Sequence, residues 1–212
     1  MCHRFMFLLF VALSHCASVF AADEKYGEFE VIQLYTQDEL NRLAHDNKHL
    51  QRIKADDCQL VEDIKAHATK VKEPSYVYLW GDMLAWGVCV KRDVKLGMHY
   101  IEQSAKQGLL PAIEQLGRYY ERGTLVQQNK ARAIIYYREA ALQGFVRAQL
   151  SYVRMLNAGY GSPVDYENAY NALFHSVIGN KKTKRQAQRL LSKLASKMPG
   201  HIVERARMKK FT

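Results

Sequence analysis

The chain of 212 residues carries a formal net charge of +10, with 48 % hydrophobic residues, 25 % charged residues and four prolines. That balance excludes a long disordered chain and supplies enough apolar material for one ordinary domain with its own core. The charge is unevenly shared: from Lys181 onward eleven Lys or Arg stand against one acid, Glu204, so the excess belongs to the C-terminal end.

The first residues, MCHRFMFLLFVALSHCASVFAADEK, combine a short basic start at Arg4, an apolar run from Phe5 to Leu13 and then small residues. Val19 and Ala21 suit the minus-three and minus-one places of a signal-peptidase site, so residues 1–21 read as a secretory signal cut between Ala21 and Ala22. No later stretch approaches membrane-spanning length, and export to an oxidising compartment is the expectation. Cys2 and Cys16 then leave with the signal. Cys58 and Cys89 remain, 31 residues apart. An even pair in such a compartment points to one disulfide, worth roughly 3–4 kcal/mol in the chain-entropy model. The alternative is two buried free thiols. Two lone cysteines lack the paired spacing that zinc needs, and no metal is expected.

Residues 22–74 form a leading segment. Asp23 to Tyr35 reads as extended or irregular. TQDE, Thr36 to Glu39, is a capping box opening a helix that runs to about Lys54. A second helix is expected from about Asp57 to Lys70, with Pro74 ending the segment. His45 and His49 in HDNKH stand one helical turn apart, the spacing of a two-histidine metal site, but the stretch is hydrophilic and lacks a third ligand. A solvated helix face is the expectation. Asp56 and Asp57 read as helix-capping acids.

From residue 75 the chain repeats itself every 36 residues. Leu79–Gly108 laid over Gln115–Gly144 gives seven identities: Gly81/Gly117, Gly87/Gly123, Val90/Val126, Tyr100/Tyr136, Ala105/Ala141, Gln107/Gln143 and Gly108/Gly144. Such a period marks stacked helix-turn-helix units, each too small to bury its own core. The predicted units are 75–110, 111–146 and 147–180. In the second, Pro111 suits the first turn of helix A, Ile113, Leu116 and Tyr120 recur at helical spacing, and Gly123 stops the helix. Asn129 caps helix B, whose Ala133, Tyr136, Tyr137, Ala140 and Ala141 alternate small with large. In the fainter third unit Ala148, Gly159 and Ala169 keep register, Asp165 stands in the capping place, and Asn180 replaces the closing glycine. Most repeat tyrosines read as inter-helix core. Tyr119 and Tyr160 are candidate exposed anchors for a protein partner.

Residues 181–212 form the basic end: a helix from Thr183 to Lys197, a break at Pro199–Gly200 and a last short helix. Lys181, Lys182, Lys184, Arg185 and Arg189 are candidate partner-binding residues. The end reads as a contact for an acidic protein in preference to a merely solvated helix or a lipid-headgroup contact. Nucleic acid does not suit an exported protein. No phosphate loop, nucleophile elbow, paired CxxC or HExxH is present in the sequence, so neither catalytic residues nor a cofactor are assigned.

AIEQLGRYYERG, NKARAIIYYREAALQG and DYENAYNALFHSV resemble Sel-one-like repeats, relatives of the tetratricopeptide repeat. That resemblance implies an all-α, right-handed solenoid. The signal segment, NKHLQRIKADDCQLVEDIKAHA, YVYLWGDMLAWGVCVKRDVKLGMHYI and the short basic end together resemble the MotX family of periplasmic components of the sodium-driven polar flagellar motor. This implies a periplasmic, basal-body-associated adaptor without enzymatic activity. Its implied partners are a MotY-like ring protein and a PomB-like stator B subunit, and its implied place is a ring around the basal body. The competing readings are a periplasmic envelope-binding repeat protein and a β-lactam-binding or -hydrolysing repeat protein. Two mature cysteines and no serine motif weigh against the last of these.

Overall fold

The computed structural model describes residues 35–209. The expected signal segment, with its cut between Ala21 and Ala22, and the extended stretch up to residue 34 lie outside the described residues, as do residues 210–212. Among the described residues there is no strand. The helices are α1 Gln37–His45, α2 His49–Ala55, α3 Val61–Ala66, α4 Pro74–Trp86, α5 Val94–Lys106, α6 Leu110–Arg122, α7 Lys130–Leu142, α8 Val146–Asn157, α9 Tyr166–Phe174, α10 Lys181–Ala195 and α11 Gly200–Met208.

Thr36 caps α1 as its sequence box requires, accepting a hydrogen bond from the Glu39 amide at 3.1 Å. The helix expected to run on to Lys54 is instead two. Asn47 adopts φ +57°, and the Lys48 amide reaches back to the Leu43 carbonyl at 2.8 Å, closing α1. Asn tolerates the left-handed region better than most residues, which is why the break falls there. The second expected helix also starts late, at Val61, because Asp57 and Cys58 are both left-handed, at φ +52° and +60°. Asp56 and Asp57 therefore cap no helix start. Asp56 instead accepts from the Tyr35 hydroxyl and from Arg52. α3 continues into a wider π turn over His67–Val71 and ends at left-handed Lys72.

From Pro74 the chain folds as helix pairs: α4 with α5, α6 with α7, α8 with α9. Pro111 lies in the first turn of α6, and Asn129 caps α7 through the Arg132 amide at 2.8 Å. Its counterpart one repeat earlier, Asp93, caps α5 through Leu96 at 2.9 Å. Close packing rests on small residues: a methyl group on Gly97 would stand 2.5 Å from the Ala85 backbone nitrogen. Ala133, Tyr137, Ala140 and Ala141 are buried on α7 against α6. The corner between paired helices uses two left-handed residues per unit. The first is Gly87, Gly123 or Gly159. The second is Cys89 at φ +61°, Leu125 at +63° or Gly161 at +83°, each 36 residues from the next.

The third unit departs from expectation at two caps. Asp165 makes no capping bond. Ser162 accepts from the Val164 amide and starts a short 3-10 turn, while Asp165 faces Arg138 at 3.3 Å. Asn180 is not a left-handed closing residue: at φ −85° it caps α10, accepting from the Lys182 and Thr183 amides. α9 has already ended at Phe174.

The basic end supplies two more helices that dock separately on the last pair. α10 packs on α8 and α9, and α11 on α9. Asn157 donates to the Leu190 carbonyl at 3.0 Å, and Asn171 donates to the Ala206 carbonyl at 2.6 Å and the Lys209 carbonyl at 2.5 Å. Leu194, Val203 and Ala206 are buried in the main core. Covering the last apolar face of a solenoid is what its end must do to remain soluble.

Candidate partner-binding site

The first helices of successive pairs lie side by side and are linked by side chains 33 residues apart. Arg147 of α8 bonds Glu114 of α6 at 2.9 Å. Arg154 of α8 forks onto Glu121 of α6 at 2.5 and 2.7 Å. Burial alone would raise the Glu121 carboxyl, but the hydrogen bonds from Arg154 and Tyr137 outweigh it and hold the group below the usual range.

Between α4 and α6 the link is a polar network. Tyr119 of α6 accepts from the Trp86 indole nitrogen at 2.7 Å and from Gln115 Nε2 at 2.5 Å, and donates to Asp82 Oδ1 at 3.0 Å. One donor and two lone pairs are thereby used in full. Burial, with the Asp82 carboxylate close by, pushes the Tyr119 hydroxyl well above the ordinary tyrosine range, so it remains a donor. The other Asp82 oxygen accepts from His49 Nε2 at 2.7 Å, which places the ring proton on Nε2. His49, expected on a solvated face, is only 2 % exposed. Its neighbour His45 stays exposed and meets the edge of Phe145. Splitting the first helix at Asn47 is what turns His49 inward while leaving His45 outside.

This network floors a pocket of about 350 Å3 with Trp86 on its wall and Asn47, Arg118 and Arg122 around it. A space of that size with a few convergent polar groups is an ordinary dimension for a recognition site. Tyr119, expected as an exposed anchor, is buried with its hydroxyl committed. The aromatic presented to solvent here is Trp86, at 43 % exposure. Tyr160 does lie on the surface, partly covered by Lys130, whose Nζ is 2.9 Å from its hydroxyl. Lys181, Lys182, Lys184, Arg185 and Arg189 are all exposed on α10, and none forms an ion pair among the described residues. Lys182, Arg185 and Arg189 line one side of a shallow cleft with Gln186 and Leu190. The structure thus groups the α10 residues on one helix, while Tyr119 stands on α6 and Tyr160 beyond the end of α8.

Sequence reasoning missed Asp82, Gln115, Arg118 and Arg122. The available signal was Asp82 itself, a lone acid within the apolar run YVYLWGDMLAW. Cys58 and Cys89 are bridged, joining the segment before the stack to the corner of its first pair. Among the described residues no group of three or more His, Cys, Asp or Glu is placed to hold a metal ion, and no helix is long and apolar enough to cross a membrane.

The Sel1 repeat family matches residues 74–109 and 110–145, the first two helix pairs. Two solved structures share the fold. A Sel1 repeat protein from Oxalobacter formigenes is 22 % identical, with TM-score 0.51 over 66 % of this chain and 54 % of that one. A protective antigen of uropathogenic Escherichia coli with an SLR fold is 24 % identical, with TM-score 0.52 over 67 % and 34 % respectively. The present chain thus spans about half and about a third of those longer repeat proteins. The similarity to the sodium-type polar flagellar protein MotX of Vibrio parahaemolyticus is much stronger, 52 % identity over 176 residues and 83 % of each chain. With its helix pairs, bridged leading segment and docked basic end, the chain belongs to the MotX family.

Proposed function

We propose that the protein is a periplasmic adaptor of the sodium-driven polar flagellar motor. It binds a MotY-like ring protein around the basal body and a PomB-like stator B subunit, and so supports stator assembly and torque generation. The observation that carries this reading is the 52 % identity to a sodium-type polar flagellar protein along most of both chains. The construction of the molecule supports it. Stacked pairs bury a continuous core and leave long side-chain-rich surfaces, a form suited to holding partners rather than to chemistry on a small substrate. The exposed cations of α10 supply one such surface and the pocket beside Trp86 another.

The test is genetic and biochemical. A strain lacking the protein is expected to assemble polar flagella that do not turn, with rotation restored by the wild-type chain. Normal swimming by the deletion strain overturns the motor role. Co-purification of the tagged protein from the periplasm is expected to recover a ring protein or stator subunit. Substituting Lys182, Arg185 and Arg189 with Gln is expected to weaken recovery of whichever partner docks on α10.

A further inference from the structure

The pocket beside Trp86 is lined by two arginines, Arg118 and Arg122, against one acid, Asp82. Asp82 is the acid on its floor, but both carboxylate oxygens are occupied, by His49 and Tyr119. Glu114 and Glu121 of α6 are held by Arg147 and Arg154. Among the described residues Arg118 hydrogen-bonds only a neutral amide, the Asn47 side-chain oxygen at 3.2 Å. Arg122 forms no hydrogen bond or ion pair among the described residues and lines the same space. Two further groups lining it are buried and incomplete: Oε1 of Gln115 and Nδ1 of His49 have no partner among the described residues, and these residues are 3 % and 2 % exposed.

The stack itself shows what this position takes. Arg154 lies 36 residues after Arg118, at the same place on the next first helix, and holds a glutamate through a two-bond fork. At Arg118 the corresponding carboxylate is missing from the chain. We propose that the pocket receives an Asp or Glu side chain from an extended segment of a protein partner. The carboxylate binds Arg118 and Arg122, and the neighbouring peptide lies on Trp86. This deepens the adaptor reading, on which it rests only in taking the occupant to be a protein.

The Trp86 indole, hydrogen-bonded within the site, is a built-in reporter, and Trp80, buried in the leading core, is its control. In a nitrogen–proton NMR titration of the disulfide-bonded protein, acetyl-Glu-Glu-Glu-amide is expected to shift the Trp86 indole signal saturably while Trp80 stays in place. Acetyl-Gln-Gln-Gln-amide is expected to leave both unmoved. Arg118→Gln with Arg122→Gln should weaken binding by at least about tenfold, the loss of a charge-assisted contact. Arg118→Lys with Arg122→Lys should fall between, because charge without the planar fork is a poorer clamp. An unchanged Trp80 signal certifies the fold of each variant. If the double Gln variant does not fold, Arg122→Gln, on an exposed residue, decides alone. Equal response to the Gln peptide, no response through the millimolar range, or undiminished binding by folded Gln variants overturns the proposal. So does an equal shift from inorganic phosphate, which would mark a generic anion site. Each of these results leaves the swimming phenotype of a deletion strain untouched, so the pocket can fail while the motor role stands.

Discussion

The helix pairs from Pro74 onward and the segment before them turn a helical chain through tight corners by different means. In the pairs the first corner residue is always a glycine, Gly87, Gly123 or Gly159, only the second, Cys89 or Leu125, carries a side chain, and α5 and α7 are capped from within their own units by Asp93 and Asn129. In the leading segment Asn47, Asp57, Cys58 and Lys72 take left-handed conformations while carrying side chains. Each such residue costs up to about 1–2 kcal/mol, less for Asn and Asp. Those corners persist because distant groups hold them: the Cys58–Cys89 bridge, the Tyr35–Asp56 hydrogen bond, and the Tyr76 hydroxyl donating to the Tyr35 carbonyl at 2.8 Å. A repeat can be written in a local code and copied. A cap that fits only one end must be fastened to what it covers.

That contrast can be broken experimentally. The largest effect belongs to the fastening. Cys58→Ser with Cys89→Ser is expected to lower stability by about 3–4 kcal/mol in urea unfolding. The loss should be concentrated in hydrogen-exchange protection of residues 35–73, while α7 and α8 keep theirs. Uniform loss along the chain would show that cap and stack are one cooperative unit. Next comes the copied corner. Gly123→Val is expected to destabilise by about 2 kcal/mol, since a β-carbon at φ +72° is strained and would meet the Gln128 side chain at 3.2 Å. A neutral result would mean the corner re-forms without its glycine. The smallest effect has the opposite sign. Lys72→Gly, at φ +62° on an exposed corner of the cap, is expected to stabilise by up to about 1 kcal/mol in the same assay. Destabilisation there would show that the lysine side chain contributes more than its backbone strain costs.

The same contrast explains what the sequence made legible. Asn129 and Gly123 could be read because their roles are decided within a few residues, and repetition supplied a second reading of each. His49 could not, because a hydrophilic neighbourhood hides an inward turn that depends on Asp82, 33 residues away. At Asp165 and Asn180 the copy rule fails because the third unit abandons it. Once Ser162 starts a 3-10 turn and α9 stops at Phe174, the capping positions move. Residue type makes Tyr119 an anchor candidate, and only three-dimensional neighbours distinguish a committed hydroxyl from a free one. Composition marks the basic end as a flank, and its docking on α8 and α9 appears only when Asn157 and Asn171 are seen reaching it.

The Cys58–Cys89 bridge also has a mechanical consequence. It makes 31 residues of chain inextensible. Pulled from its two ends, the oxidised molecule would release about 100 Å less contour length than the reduced one, at ~3.3 Å per residue. The shortfall falls where the leading segment meets the first helix pair: a load on the oxidised molecule passes across the bridge and leaves α3 and α4 outside the path of the force, from whichever end it is applied.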